Sequence, residues 1–247
     1  MSFDSQCAAK VERPPIATAS MRYITSGEFQ MVGDLMQWMQ QTLIAPQPEL
    51  RRSKKSKGEA VCPFLYPSIE KSLCHISFAS GEPADAASIS REVESHVLQF
   101  DSLAPASRAL RDYASLIVLF PYAGNSIGAA MDQAHDDLKG KMIRSGFMIA
   151  RFHPQCEIGS IWNKKMPVFR SPMSFFAIRY MALHDIYFLG DDREFFAEYD
   201  RRFGHVFQHT RKLSSFYKPL IVAYRLAQAR HKHGAGQNRI KPAAESR

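Results

Sequence analysis

Residues 114–121 read ASLIVLFP, an unbroken apolar, β-branched run of strand length closed by a proline. A half-exposed strand would alternate apolar and polar residues, so a continuous run predicts a central strand covered on both faces. The chain must therefore supply other strands to flank it and helices above and below. The candidates follow in order. SLCHISFAS, residues 72–80, sets Leu73, His75 and Ser77 against Cys74, Ile76 and Phe78, the alternation of a strand with one buried face. FMIARFH, residues 147–153, is a third strand stopped by Pro154.

Helical periodicity fills the spaces between. Thr25 and Glu28 have capping-box spacing. Phe29, Val32, Met36, Met39 and Leu43 follow at three- and four-residue steps, predicting a helix that Pro46 and Pro48 end. AASISREVESHVLQF, residues 86–100, and residues 125–146, with Gly146 as a stop, read as two more. Beyond residue 170 the pattern predicts helices alone. PMSFFAIRYMALHD, residues 172–185, has a proline at a first-turn position, and residues 191–215 have acidic residues at the start and basic ones at the end. A last helix begins at Phe216 and ends near Arg230. The expectation is an α+β fold, an α/β sandwich with a small central sheet and a helical C-terminal cap. Residues 1–24 are expected as a flexible arm, 25–230 as a single domain with a basic loop at 46–60, and 231–247 as a disordered basic tail.

Charge is unevenly spread. Five of the positive charges lie between Arg51 and Lys57, and the tail from Ala229 carries a net four more. Removing both from the formal +8 leaves the remainder at −1, nearly neutral. A nucleic-acid-binding body would itself be basic, so nucleic acid is not the expected partner. No apolar run approaches the roughly 20 residues of a membrane span, which excludes a transmembrane helix. The four cysteines show no CxxC spacing, and reduced thiols in a cytoplasmic protein are the simplest expectation.

Three stretches could carry chemistry. In VCPFLYP, residues 61–67, Cys62 starts an ordered segment after the lysine-rich loop and is a candidate nucleophile or metal ligand, against the alternative of a small buried apolar residue. His153 stands where a buried strand meets Pro154, with Cys156 two places beyond; open sheets place ligands at strand ends, and imidazole serves for metal binding or proton transfer. In the third stretch Ser171 would cap the helix expected at Pro172, Arg170 beside it would clamp an anion, and Arg179 and His184 would lie farther along. GxGxxG, HExxH and the phosphate-loop lysine motif are missing from the sequence.

In this order the motifs resemble a group of bacterial domains of unknown function. The matching residues are Cys62-Pro63-Phe64, Phe152-His153-Pro154, Asn163 and Arg170-Ser171-Pro172. More distantly, the chain resembles the YqcI/YcgG family, which includes haem-dependent N-oxygenases of natural-product pathways. The resemblance implies an oxidoreductase of specialised metabolism acting on a small amino-acid-like or other anionic substrate. It implies haem as cofactor, with His153 or Cys62 as the iron ligand and Arg179 and His184 beside it, and Arg170, Ser171 and Asn163 on the substrate. An electron donor is the partner such chemistry calls for, and a homodimer is an allowed assembly. The alternatives are a cofactor-free enzyme with Cys62 as nucleophile and His153 as base, and a binding protein that uses its basic loop and tail. The enzyme readings share one requirement: Cys62, His153 and Arg170 converge on one cavity.

Overall fold

The computed structural model describes residues 25–50, 58–83, 85–124, 127–208 and 217–234. The expected arm at 1–24, residues 51–57 of the basic loop and residues 235–247 lie outside them. Within the span 25–230, expected as one domain, the chain forms two compact units, residues 1–180 and 181–247.

In the first unit α1 (Ser26–Met39) begins at the expected capping box: Thr25 Oγ1 accepts from Glu28 N at 3.2 Å, and Glu28 Oε2 accepts from Thr25 N at 2.9 Å. The buried stripe is rotated from the predicted one. Leu35, Met39 and Leu43 face inward, whereas Phe29 is 76% exposed. A π-turn over Gln40–Ile44 extends the helix before Pro46. After α2 (Leu65–Glu70) the chain enters β1 (Cys74–Phe78), α3 (Ala86–Ser102), the short α4 (Arg108–Arg111) and β2 (Ser115–Leu119). Then come α5 (Gly128–Ser145), β3 (Phe147–Phe152) and β4 (Phe175–Tyr180). Gly146 closes α5 at φ 89°, the left-handed conformation that glycine adopts without a Cβ clash.

The helix expected from Pro172 is instead β4. Its aromatic and branched residues FFAIRY fill the sheet between β2 and β3, a position buried on both faces where tertiary pairing overrides a helical spacing. Ser171 caps no helix; its Oγ accepts from Met173 N at 3.3 Å within a turn. The strand order is β1-β2-β4-β3, with β1 parallel to β2 and the other pairs antiparallel.

Both faces of this sheet are covered, as the run in β2 requires. Leu116 and Val118 face a core built with α3 and α5, including Val93, Met131, Leu138, Phe176 and Ile178. Ile117 and Leu119 face the opposite core, with Leu35, Met39, Leu43, Leu65, Phe152 and Phe175. In that second core Phe152 and Phe175 stack across the β3–β4 pair at 4.5 Å, and Trp38 meets both rings edge-on. Phe176 and Leu119 are fully buried. Truncating either to alanine costs on the order of 2–5 kcal/mol. The α+β class expected from the sequence is thus the architecture of the first unit.

The second unit is helical in its described residues: α6 (Ile186–Leu189), α7 (Arg193–Gln208) and α8 (Lys218–Gly234), the last reaching four residues into the segment expected as tail. Phe207 of α7 stacks on Tyr224 of α8 at 4.2 Å, and the Tyr224 hydroxyl donates to Asp200. Buried Tyr199 donates to Leu183 O at 2.7 Å. No helix among the described residues is long and apolar enough to cross a membrane.

Candidate functional site

His153 follows β3 directly. Its strand row is Phe152, Phe175, Leu119 and Phe78, so it stands at the end where the parallel pair β1 and β2 finishes. Successive residues of a strand point to opposite faces. Phe152 faces α1, and His153 turns to the α5 side, where its side chain is 2% exposed.

There α5 supplies a carboxylate. Asp132 lies one turn into the helix, and its Oδ1 is 3.4 Å from His153 Nε2. The same oxygen accepts from Arg151 Nε at 2.6 Å. Arg151 is the one charge in the apolar run of β3; alternation sends it to the α5 side, where Asp132 and His135 meet it. His135 Nδ1 is 3.4 Å from Arg151 Nη1, and its Nε2 is 3.3 Å from Ile149 O. Partial burial works to raise the Asp132 pKa, but the hydrogen bond and charge of Arg151, helped by His153, outweigh it and hold the carboxyl below its ordinary value. Burial, reinforced by Arg151, lowers the pKa of His135 and keeps it neutral.

The first residue of α5 makes room for the imidazole. A Cβ on Gly128 would fall 2.8 Å from His153 Nδ1 and 3.0 Å from Cε1, so only glycine lets the ring sit there. His153 Nδ1 has no hydrogen-bond partner among the described residues.

The turn after the strand adds a thiol. Cys156 N donates to His153 O at 3.1 Å, which folds His153-Pro154-Gln155-Cys156 back on itself and buries Cys156. A carboxylate oxygen of Asp132, an imidazole nitrogen of His153 and the Cys156 sulfur lie within 4.8 Å of one another. Arg170 completes the group from the other end of the β3–β4 connection. It forms an isolated parallel bridge with His153, and its Nε donates to Cys156 O at 3.3 Å. Its side chain is 50% exposed and also approaches Glu157, itself exposed, at 4.0 Å, a pairing worth little in water.

The structure brings His153 and Arg170 together and leaves Cys62 elsewhere. Cys62 N donates to Leu43 O, and its side chain packs in the α1-side core beside Cys74 at the start of β1. That row is about 16 Å along the strands and roughly 14 Å across them from His153, on the opposite face. The expected convergence of the three residues therefore fails, because the order β1-β2-β4-β3 puts the first and third strands at opposite edges. Arg179 belongs to the Cys62 end: its guanidinium lies over the Phe64 ring at 4.5 Å and donates to Tyr180 O. His184 lies in a 3₁₀ turn, Leu183–Asp185, of the second unit. Asn163 and Ser171 both shape the connection, Asn163 Oδ1 accepting from Lys165 N at 3.1 Å.

Sequence reasoning passed over Asp132, Arg151 and Gly128. Arg151 carried a signal, since a lone charge in a buried strand requires a partner. Asp132 and His135, three apart on a helix, face the same way. Nothing local connects that helix face to residue 153.

A family model described as domain of unknown function DUF6875 matches residues 32–214, and the chain belongs to that family. No curated protein and no solved structure matches the chain.

Proposed function

We propose that this member of the DUF6875 family is an enzyme acting on a small anionic substrate, with its reaction centre at His153. One observation carries the reading: a buried imidazole faces a carboxylate that Arg151 holds ionised, and an exposed arginine stands on the adjoining backbone. In such an arrangement Asp132 orients the ring, and His153 presents a nitrogen lone pair fixed in place. Arg170, with its Nε anchored on Cys156 O, offers its outer nitrogens to a carboxylate or phosphate as a planar fork. Binding energy spent there holds the substrate against the imidazole. An amino-acid-like carboxylate fits this reading.

The oxidoreductase class rests on the likeness to the YqcI/YcgG N-oxygenases alone. The residues present do not fit the haem of that family. A porphyrin needs a clear approach to its axial nitrogen, but His153 Nε2 faces Asp132 and Nδ1 faces the backbone of Gly128. Cys62, the other expected ligand, is at the far end of the sheet.

The test is a product screen by mass spectrometry, with the full-length chain incubated with a panel of amino acids and short-chain carboxylates. The reading expects turnover that His153→Ala removes, and an Arg170→Ala variant whose KM rises at least tenfold with a smaller change in kcat. No turnover across the panel, or turnover that survives His153→Ala, overturns it.

A further inference from the structure

We propose that Asp132, His153 and Cys156 together bind one divalent transition-metal ion of the zinc type. The inference rests on the reading of the His153 end as the reaction centre and says what occupies it.

Three observations carry it. The donor set is mixed: a carboxylate oxygen, an imidazole nitrogen and a thiol sulfur within 4.8 Å of one another. Oxygen, nitrogen and sulfur together suit a borderline ion such as Zn²⁺ better than the hard cations Mg²⁺ or Ca²⁺. The spacing also suits an ion. Nitrogen and oxygen ligands about 2.0–2.1 Å from a tetrahedral zinc stand roughly 3.3–3.4 Å apart. His153 Nε2 and Asp132 Oδ1 are 3.4 Å apart, at the outer limit of a hydrogen bond and at the edge length of a shared coordination sphere. Bringing the most distant pair of donors to that spacing takes a movement of about 1 Å. Finally, the donors are withdrawn from solvent. The His153 ring and the Cys156 thiol are both buried, with Asp132 beside the imidazole Nε2. Buried polar groups are costly unless partnered, and an ion between them partners Nε2 and the thiol.

The surroundings match a catalytic site more than a structural one. Structural zinc has four protein ligands; three leave a fourth position for water or substrate. Asp132 is 44% exposed, which opens that position to solvent, while His153 and Cys156 close the other side. Arg151 Nε donates to Asp132 Oδ1, the kind of outer contact that orients a ligating carboxylate, and the same oxygen keeps a lone pair for the ion. The carboxylate and a coordinating thiolate balance the two charges of the ion, and the thiol proton leaves to solvent on binding. Arg170, bonded to the Cys156 carbonyl, then sets an anion-binding fork next to the fourth position.

The experiment strips the full-length chain with chelator and titrates it with Co²⁺ alone, followed by Zn²⁺ competition, with absorption and elemental analysis as readouts. One equivalent of Co²⁺ with a thiolate-to-cobalt charge-transfer band is expected, displaced by Zn²⁺. Cys156→Ser should lose the band and weaken binding at least tenfold; His153→Ala should lose saturable binding; Cys62→Ser should keep both. Circular dichroism of each variant separates a lost ligand from a lost fold, and Asp132→Asn, which keeps the shape of the carboxylate, gives an independent arm expected to weaken binding. Absence of saturable uptake in the wild type, or a band that survives Cys156→Ser, overturns the inference. Metal uptake without turnover leaves the ion in place and removes the proposed enzyme. Turnover by stripped protein, insensitive to Cys156→Ser, removes the ion and leaves the enzyme.

Discussion

The two ends of the sheet in the first unit are built from the same residue types and put them to different use. At the start of the parallel pair are two thiols, Cys62 and Cys74, and a guanidinium, Arg179. At its finish are one thiol, Cys156, and two guanidiniums, Arg151 and Arg170. The first set is consumed by packing. Burial raises the Cys74 pKa against the opposing pull of Ser115 and Ser68, so its thiol stays protonated. Ser68 and Ser115 bond each other at 2.7 Å, and Arg179 stacks on Phe64. At the other end a histidine and an aspartate join the thiol, an imidazole nitrogen is left unpartnered, and an arginine stands half in solvent. A thiol or an arginine in the sequence therefore carries little information until its neighbours are known.

The comparison breaks most readily at its two thiol-bearing ends. His153→Ala should reduce turnover by a factor of about 100 or more, the usual scale for loss of a positioned catalytic group. Cys62→Ser should leave turnover unchanged. Steady-state kinetics on both variants decides it, and the reverse pattern would move the site to the Cys62 end.

A smaller effect is expected from Gly128→Ala. Its Cβ would meet the His153 ring at 2.8 Å, and overpacking of this kind costs about 1–3 kcal/mol. The helix propensity gained from alanine offsets up to about 1 kcal/mol of that. Urea unfolding should show a modest loss, and turnover should fall further than stability does, because the displaced group is the imidazole. A variant as active as the wild type would show that the ring need not sit where it does.

At the other end, Arg179→Met keeps the stem and removes the charge over Phe64. Loss of that contact should cost about 1 kcal/mol in urea unfolding with kcat and KM unchanged. A change in either constant would return Arg179 to the site.

The smallest effect is in pH. Burial lowers the pKa of both His96 and His135, so each is neutral in the fold and gains a proton more readily when unfolded. Their contribution is fully present above the unfolded value of about 6.5 and is lost as pH falls from there through the folded values. Chemical denaturation between pH 7 and 5 should show declining stability, and a His96→Gln, His135→Gln double variant should flatten the decline. An equal slope in both proteins would assign it to other groups.

Much of the fold was legible because its signals are local. Thr25 and Glu28 announced a helix start that the structure keeps, Gly146 a helix end, and residues 114–121 a strand with two covered faces. Residues 172–185 misled for a physical reason. FFAIRY satisfies the spacing of a helix and the composition of a strand, and the gap between β2 and β3 selected the strand. Phe29 misled more simply: it sits on the periodic stripe yet is exposed, and Leu35 takes the inward position.

For the site, the sequence alone determined that His153 would stand at the end of a buried strand with Cys156 a short turn away, since a proline after an apolar run stops a strand wherever it is placed. Only the tertiary structure decided which of the distant groups would join them. Asp132 reaches His153 because α5 packs along β3, and Cys62 does not because β1 and β3 occupy opposite edges of the sheet. Strand order is fixed by the summed burial of two cores, and no short stretch of residues contains that sum.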